Sequence, residues 1–162
     1  MQFETTVQLF NKNEIDFILV GGVCAALHGA PINTVDIDFV YLQSKDNCQR
    51  LLNLLESIHA QYRGQGNRQI DIKLEHLIRG GQLLFKTDLG DIDLLSWIGN
   101  MENVLDYGYL IQNDCIEIIN IGNQEIKSLN LLTLIESKEL ANRQKDQVHL
   151  LHLYEIKKLQ NP

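Results

Sequence analysis

Residues 17–41 read FILVGGVCAALHGAPINTVDIDFVY. The opening run, Phe17-Ile18-Leu19-Val20, is short, bulky and apolar, the pattern of a buried strand. Gly21 and Gly22 follow, and then Val23-Cys24-Ala25-Ala26-Leu27, small enough for a helix pressed closely on a sheet. Gly29 and Pro31 end that helix. A second strand carries Asp36-Ile37-Asp38-Phe39-Val40-Tyr41, with carboxylates at i and i+2 among core residues. Side chains alternate along a strand, so Asp36 and Asp38 share a face, roughly 6–7 Å apart at about 3.3 Å per residue. Like charges that close are costly unless something positive lies between them, and a divalent metal is the usual answer.

The bulk properties narrow the field. A length of 162 residues suits one domain with a real core, and 44% hydrophobic with 22% charged residues is the balance of a soluble globular chain. A net charge of -7 argues against a sequence-blind nucleic-acid binder. It leaves room for a nucleotide, because bound metal supplies positive charge locally. Cys24, Cys48 and Cys115 are an odd count without CxxC spacing, so neither a disulfide framework nor a zinc site is expected, and a reducing cytoplasm is the natural compartment. The N-terminal MQFETTVQLF lacks the regions of a signal peptide. The longest apolar run, around Ile18 to Leu27, is too short to span a bilayer, so no membrane partner is expected.

Along the chain, Phe3, Val7 and Phe10 predict an opening helix with one packed face. Ser44 caps a helix with apolar positions Leu51, Leu52, Leu54, Leu55 and Ile58. Arg63 to Arg68 is a polar, glycine-bearing loop. Ile70 to Ile78 is ambiguous between a short helix and an extended segment, stopped by Gly80-Gly81. Gln82–Thr87 and Asp91–Trp97 flank the turn Asp88-Leu89-Gly90 as a hairpin. Cys115–Ile121 and Gln124–Ser128 form a second hairpin across Gly122-Asn123. Met101 to Tyr109 is expected as a short helix, and Leu131 to Leu159 as two helices broken near Asn142 or Arg143. The fold class is therefore α/β (α+β), a mixed sheet of five strands flanked by helices with a C-terminal helical pair.

Three features then combine. A Gly-Gly turn leads from a strand into a helix and offers backbone N–H groups to an anion. The Asp-x-Asp pair follows one crossover later. A third acidic segment, Asp91-Ile92-Asp93, lies further on in the sheet. Two metal ions held by three carboxylates can bridge a triphosphate and assist in-line displacement. The glycine pair, the following DID and the later Gly90-Asp91-Ile92-Asp93-Leu94-Leu95 resemble the signature of the nucleotidyltransferase superfamily that includes DNA polymerase β. The segment IKSLNLLTLIESKELANRQKDQVHLLHL is similar to the C-terminal helices of small prokaryotic nucleotidyltransferases, some of which serve in toxin–antitoxin and abortive-infection systems. The resemblance spans about Ile15 to Leu153.

That resemblance implies a nucleotidyltransferase-like core over residues 1–128, with C-terminal helices over 129–162 packed on the same domain. It implies transfer of a nucleoside monophosphate from an NTP to an acceptor hydroxyl, with release of pyrophosphate and with Mg²⁺ or Mn²⁺ as cofactor. Asp36, Asp38 and Asp93 become the catalytic metal ligands, and Asp93 also the base toward the acceptor. Asp91 shares its face and stays a second candidate. Gly21, Gly22, Thr34, Lys138 and Arg143 become nucleotide contacts. The acceptor stays open between a tRNA end, a protein and a small molecule such as an aminoglycoside; RNA would need a local basic patch such as Arg63, Arg68 and Lys73. A cognate toxin or antitoxin protein is a further expected partner. Many relatives carry arginine where this chain has Asn33. That departure supports an alternative, a catalytically weak or inactive binding module acting as antitoxin or regulatory subunit. A third reading keeps the fold and gives the carboxylates a structural ion.

Blander assignments compete residue by residue. An EF-hand does not fit, because Ile37 and Phe39 replace oxygen ligands. Rossmann and P-loop spacings are absent. His28 reads as a helix-end residue. His149 and His152 with Asp146 read as a partly exposed helical stripe. Arg143, Lys145 and Asp146 can pair with Glu136 and Glu139 instead of meeting a ligand, and for Arg143 both readings stand.

Overall fold

The computed structural model of the chain describes residues 2–64 and 70–160. The opening helix α1 (Phe3–Lys12) buries Val7 and Phe10, as their spacing predicts. Strand β1 (Phe17–Val20) is buried along its length, and helix α2 (Gly21–Leu27) starts at the glycines themselves. Strand β2 (Asp36–Tyr41) leads to helix α3 (Lys45–Ser57), where the Ser44 side chain accepts from the Asn47 amide. A two-residue strand β3 (Gln61–Tyr62) and helix α4 (Leu74–Arg79) resolve the ambiguous middle of the chain in favour of a helix. Arg68, part of the expected basic patch, lies outside the described residues.

The predicted hairpins form, with one change. Strands β4 (Gln82–Thr87) and β5 (Gly90–Leu95) pair, but β5 stops at Leu95. Ser96 bends the chain there: its amide donates to the Gly81 carbonyl at 3.0 Å, and its hydroxyl accepts from the Gly81 amide at 2.8 Å. Trp97 therefore opens a separate strand, β6 (Trp97–Gly99), which pairs with β7 (Val104–Asp106). This replaces the helix expected over Met101–Tyr109. Asn100 is the reason, since its side chain accepts from the Glu102 and Asn103 amides and folds 100–103 into a turn. The helix α5 (Tyr107–Gln112) begins only after the Asp106 cap. Strands β8 (Ile116–Ile121) and β9 (Gln124–Leu129) form the second hairpin. The chain ends in α6 (Leu131–Ala141) and α7 (Gln144–Gln160), broken at Asn142, which is left-handed at φ 45°.

The main sheet has seven strands, not the five expected, in the order β3-β4-β5-β2-β1-β9-β8. Both hairpins join it, and β3 is too short to show in a pattern. The β2/β5 and β1/β9 pairs are parallel and the others antiparallel. On one face Phe10 of α1 meets Phe17 and Phe39 with ring centroids 5.2 and 4.7 Å apart. On that face too, the Tyr41 hydroxyl donates to the Leu77 carbonyl of α4 at 2.7 Å. Helix α2 lies on β1 and β2 and packs on α6, which α7 covers in turn.

Asn47 is a polar anchor inside this packing that no pattern signalled. Fully buried, it accepts from the Asp16 amide at 2.7 Å and donates to the carbonyls of Asp16 and Leu42 at 3.1 and 2.8 Å. It thereby ties the start of β1 to the end of β2. Asn47→Ala leaves those backbone groups short of partners and is expected to lower the unfolding free energy by about 2–3 kcal/mol, read from urea denaturation.

Candidate functional site

The site grows from the register of β2 on β5. Asp36 pairs with Asp91 and Asp38 with Asp93, while Ile37 pairs with Ile92 and Phe39 with Leu94 between and beyond them. Alternation sends the apolar set to the core and all four carboxylates to the other face. Asp36, Asp38 and Asp93 each bring an oxygen within 4.8 Å of the others, a hard-oxygen set suited to a divalent cation. Among the described residues this is the group that can hold an ion, and His149 and His152 are not part of it. Asp91 turns instead to Arg63, whose Nη1 lies 2.8 Å from it.

Crowding shows in the electrostatics. Burial, then the Asp38 charge, pushes the Asp93 carboxyl up to about 6, against the pull of Arg63. Burial and the neighbouring Asp36 likewise raise Asp38, opposed by the Gly22 amide 3.4 Å away and by Lys145 and Lys138. The carboxylate cluster taken by itself is thus a destabilising feature that the rest of the fold holds in place.

The two glycines have steric roles here. Gly21 is at φ +71°, and a Cβ on it would overlap the Asp38 carboxylate. A Cβ on Gly22 would stand 2.8 Å from the Thr34 hydroxyl. That hydroxyl donates to Asp36 Oδ1 at 2.8 Å, so Thr34 orients a carboxylate in this structure. Asn33 is exposed beside it.

A cavity of about 630 Å³ opens over the acids, with Lys138, Arg143 and Lys145 in its lining. Lys138 is buried, its Nζ 3.4 Å from Asp146 Oδ1 and 3.2 Å from His149 Nδ1. Burial lowers its ammonium pKa, and Asp146 opposes that. Arg143 does not pair with Glu136 or Glu139; its Nε lies 2.6 Å from Asp146 Oδ2. Glu139 meets the Tyr154 hydroxyl instead. Asp146 is fully buried, not part of an exposed stripe, and Arg143 and Lys138 hold its carboxyl below the usual range despite the cost of burial. His28 sits at the end of α2 with Nε2 2.9 Å from the Leu129 carbonyl, away from the cluster. Cys24, Cys48 and Cys115 are buried and unbridged.

Sequence reasoning missed Arg63 as a site residue. It contacts both Asp91 and Asp93, and its Nε is buried without a hydrogen-bond partner among the described residues. Only its place after a two-residue strand could have signalled it, and that strand has no legible pattern.

Comparison with known proteins bears on the fold. No family model and no curated protein sequence matches the chain. Solved structures do match. The lincosamide antibiotic adenylyltransferase LnuA, bound to lincomycin, superposes with TM-score 0.64 at 14% identity, covering 96% of both chains. The fold is that of the nucleotidyltransferases. The antibiotic-resistance factor ANT(2'')-Ia shares it with TM-score 0.57 at 11% identity, over 99% of this chain and 86% of that one. So does an antigenic nucleotidyltransferase-like protein from Paracoccidioides brasiliensis, with TM-score 0.56 at 18% identity, over 94% and 73%. No helix among the described residues is long and apolar enough to cross a membrane.

Two outcomes follow from the crowding. Gly21→Ala is expected to cost about 2 kcal/mol through left-handed strain and to displace Asp38, measured by urea denaturation and by loss of metal binding in calorimetry. Asp93 holds its proton more tightly folded than unfolded, so its stabilising contribution is present below about pH 4 and lost as pH rises through about 6. In EDTA the melting midpoint should climb as pH falls from about 7 to about 5, and Asp93→Asn should flatten that climb.

Proposed function

We propose that the chain is a metal-dependent nucleotidyltransferase that moves a nucleoside monophosphate from an NTP to an acceptor hydroxyl and releases pyrophosphate. The observation that carries the reading is the convergence of Asp36, Asp38 and Asp93 within 4.8 Å on an open sheet face beneath a cation-bearing cavity. Three hard carboxylate oxygens this close fit a divalent ion, and burial, then a neighbouring carboxylate, raises both Asp38 and Asp93. Magnesium or manganese held by these residues would supply positive charge against the phosphate oxygens.

The remaining work belongs to side chains. Asp93, in the lining of the cavity beside Asp36 and Asp38, is the carboxylate placed to take the acceptor proton. The acceptor oxygen bonds to the α-phosphorus as the bond to the leaving pyrophosphate breaks. Lys138, Arg143 and Lys145 face the Asp38 side and attract the triphosphate; Lys145 has no ion pair among the described residues. Gly21 and Gly22 let the backbone approach without a Cβ in the way, and Thr34 holds Asp36. A cytoplasmic setting fits three buried thiols without a bridge. Antibiotics named with LnuA and ANT(2'')-Ia favour a small-molecule acceptor over tRNA or protein.

One observation favours the second reading, a weak or inactive binding module of the toxin–antitoxin kind. Arg63 already pairs with Asp91 and Asp93, and Asn33 supplies no cation near the acids. Thermal-shift titration decides between them. An active site should raise the melting midpoint with one NTP and Mg²⁺, by about 2.7 kcal/mol of stabilisation at a hundred times the dissociation constant. Asp38→Asn should lose that rise and all transfer of labelled NMP while folding normally. Transfer by Asp38→Asn at the wild-type rate would sink the mechanism, and no NTP effect on wild type would favour the binding module.

A further inference from the structure

The two sides of the acid cluster differ in kind. Lys145 and Lys138 act on Asp38, whereas Arg63 is the cation that acts on Asp93. Next to Asp93 the surface turns apolar. The antiparallel register of β4 on β5 sets Leu84 directly opposite Asp93 and Gln82 opposite Leu95. Directly opposed side chains project from the same face, with Cβ atoms about 4.5–5.5 Å apart. Leu84 is 36% exposed, a large aliphatic side chain facing the cavity instead of the core. Trp97 and Ile98, carried into place by the bend at Ser96, continue the same lining.

Resting on the nucleotidyl-transfer reading of the same site, we propose that this shelf of Leu84, Leu95, Trp97 and Ile98 is the acceptor subsite. Its acceptor is a small, uncharged hydroxyl compound that lays an aliphatic or ring face on the shelf and points its reacting hydroxyl at Asp93.

Position, charge and size support this. A hydroxyl must lie within hydrogen-bond reach of the base that takes its proton, and the shelf is the surface adjoining Asp93 on β4 and β5. A polyanion such as RNA would meet Asp36, Asp38, Asp91 and Asp93, with Arg63 and the Lys86 opposite Asp91 as the cations on that side among the described residues, on a chain of net charge -7. A polyamine would find Asp91 and Asp93 held by Arg63 and no charge on the shelf itself. The cavity of about 630 Å³ lies within the roughly 300–1,000 Å³ of small-molecule sites. Gln82 offers the shelf an uncharged donor and acceptor with which to orient a second hydroxyl. In the step itself the acceptor oxygen gains its bond to the α-phosphorus, pyrophosphate leaves with the electrons of the broken bond, and the hydroxyl proton goes to Asp93.

Trp97 is the sole tryptophan of the chain, so its emission reports on the shelf directly. The full chain is titrated with hexyl β-D-glucopyranoside, methyl β-D-glucopyranoside, neamine and a CCA-ended RNA hairpin. Each is then offered as acceptor with Mg²⁺ and α-labelled NTP, and NTP binding is followed separately by thermal shift. The hexyl glycoside should shift Trp97 emission saturably, at least about tenfold more tightly than the methyl glycoside, and should accept the label in preference to neamine and RNA. Leu84→Lys should weaken both effects at least about tenfold while the NTP-induced midpoint rise persists, and Leu84→Met should restore them. Preferred labelling of neamine or RNA, or equal binding of the two glycosides, overturns the acceptor assignment and leaves the nucleotide reading standing. Absence of any NTP-induced rise overturns the nucleotide reading itself, and the acceptor subsite with it.

Discussion

The parallel pairing of β2 with β5 is the constraint on which the rest of the molecule depends. It lines up two strands that each alternate acid and apolar residues, so one face gains the stacked pairs Ile37–Ile92 and Phe39–Leu94. The other face gains Asp36, Asp38, Asp91 and Asp93. The apolar pairs, packed under α1, α3 and α4, supply the stability that holds the carboxylates together against their repulsion. A slip of one residue in either strand would exchange the faces and bury the acids, so the core itself enforces the register of the site.

Cations are distributed around this cluster by tertiary packing. On the Asp38 side, Lys138 is buried in α6 and would tend to lose its charge, but Asp146 from α7 opposes that loss. Asp146 also binds Arg143, so one fully buried carboxylate fixes two of the cavity's cations across the α6–α7 break. A left-handed Asn142 at that break makes the arrangement sterically accessible. On the Asp93 side, Arg63 spans Asp91 and Asp93, Lys86 of β4 stands opposite Asp91, and Leu84 stands opposite Asp93. The site therefore has a charged part around Asp38 and an apolar part beside Asp93 on one sheet face, the contrast on which the proposed acceptor subsite rests.

Much of this was legible beforehand because the signals are local. The Phe17–Val20 run, the glycine pair, the DID strand, the Ser44 cap and both hairpin turns are short-range patterns, and each formed at or near its expected place. Signals failed where a side chain acts on distant backbone. Ser96 ends a strand by bonding to Gly81, and Asn100 turns a stretch that otherwise reads as helix. Neither bond has a periodicity. The two-residue β3 owes its existence to the edge of β4, and Arg63 follows from β3.

By itself, the sequence determined that two acidic strands would present their carboxylates on one face, because period-two alternation binds each aspartate to its apolar neighbours. It determined too that glycine would stand at Gly21, where the chain turns with positive φ against a side chain on the next strand. Tertiary structure alone decided which acids meet and which cation attends each. Arg63 is 28 residues from Asp91 and 30 from Asp93, and they meet only because β3 falls beside β4 and β4 beside β5. Charge pairing acts through space over a few ångströms, and strand order, not chain distance, sets which groups come that close.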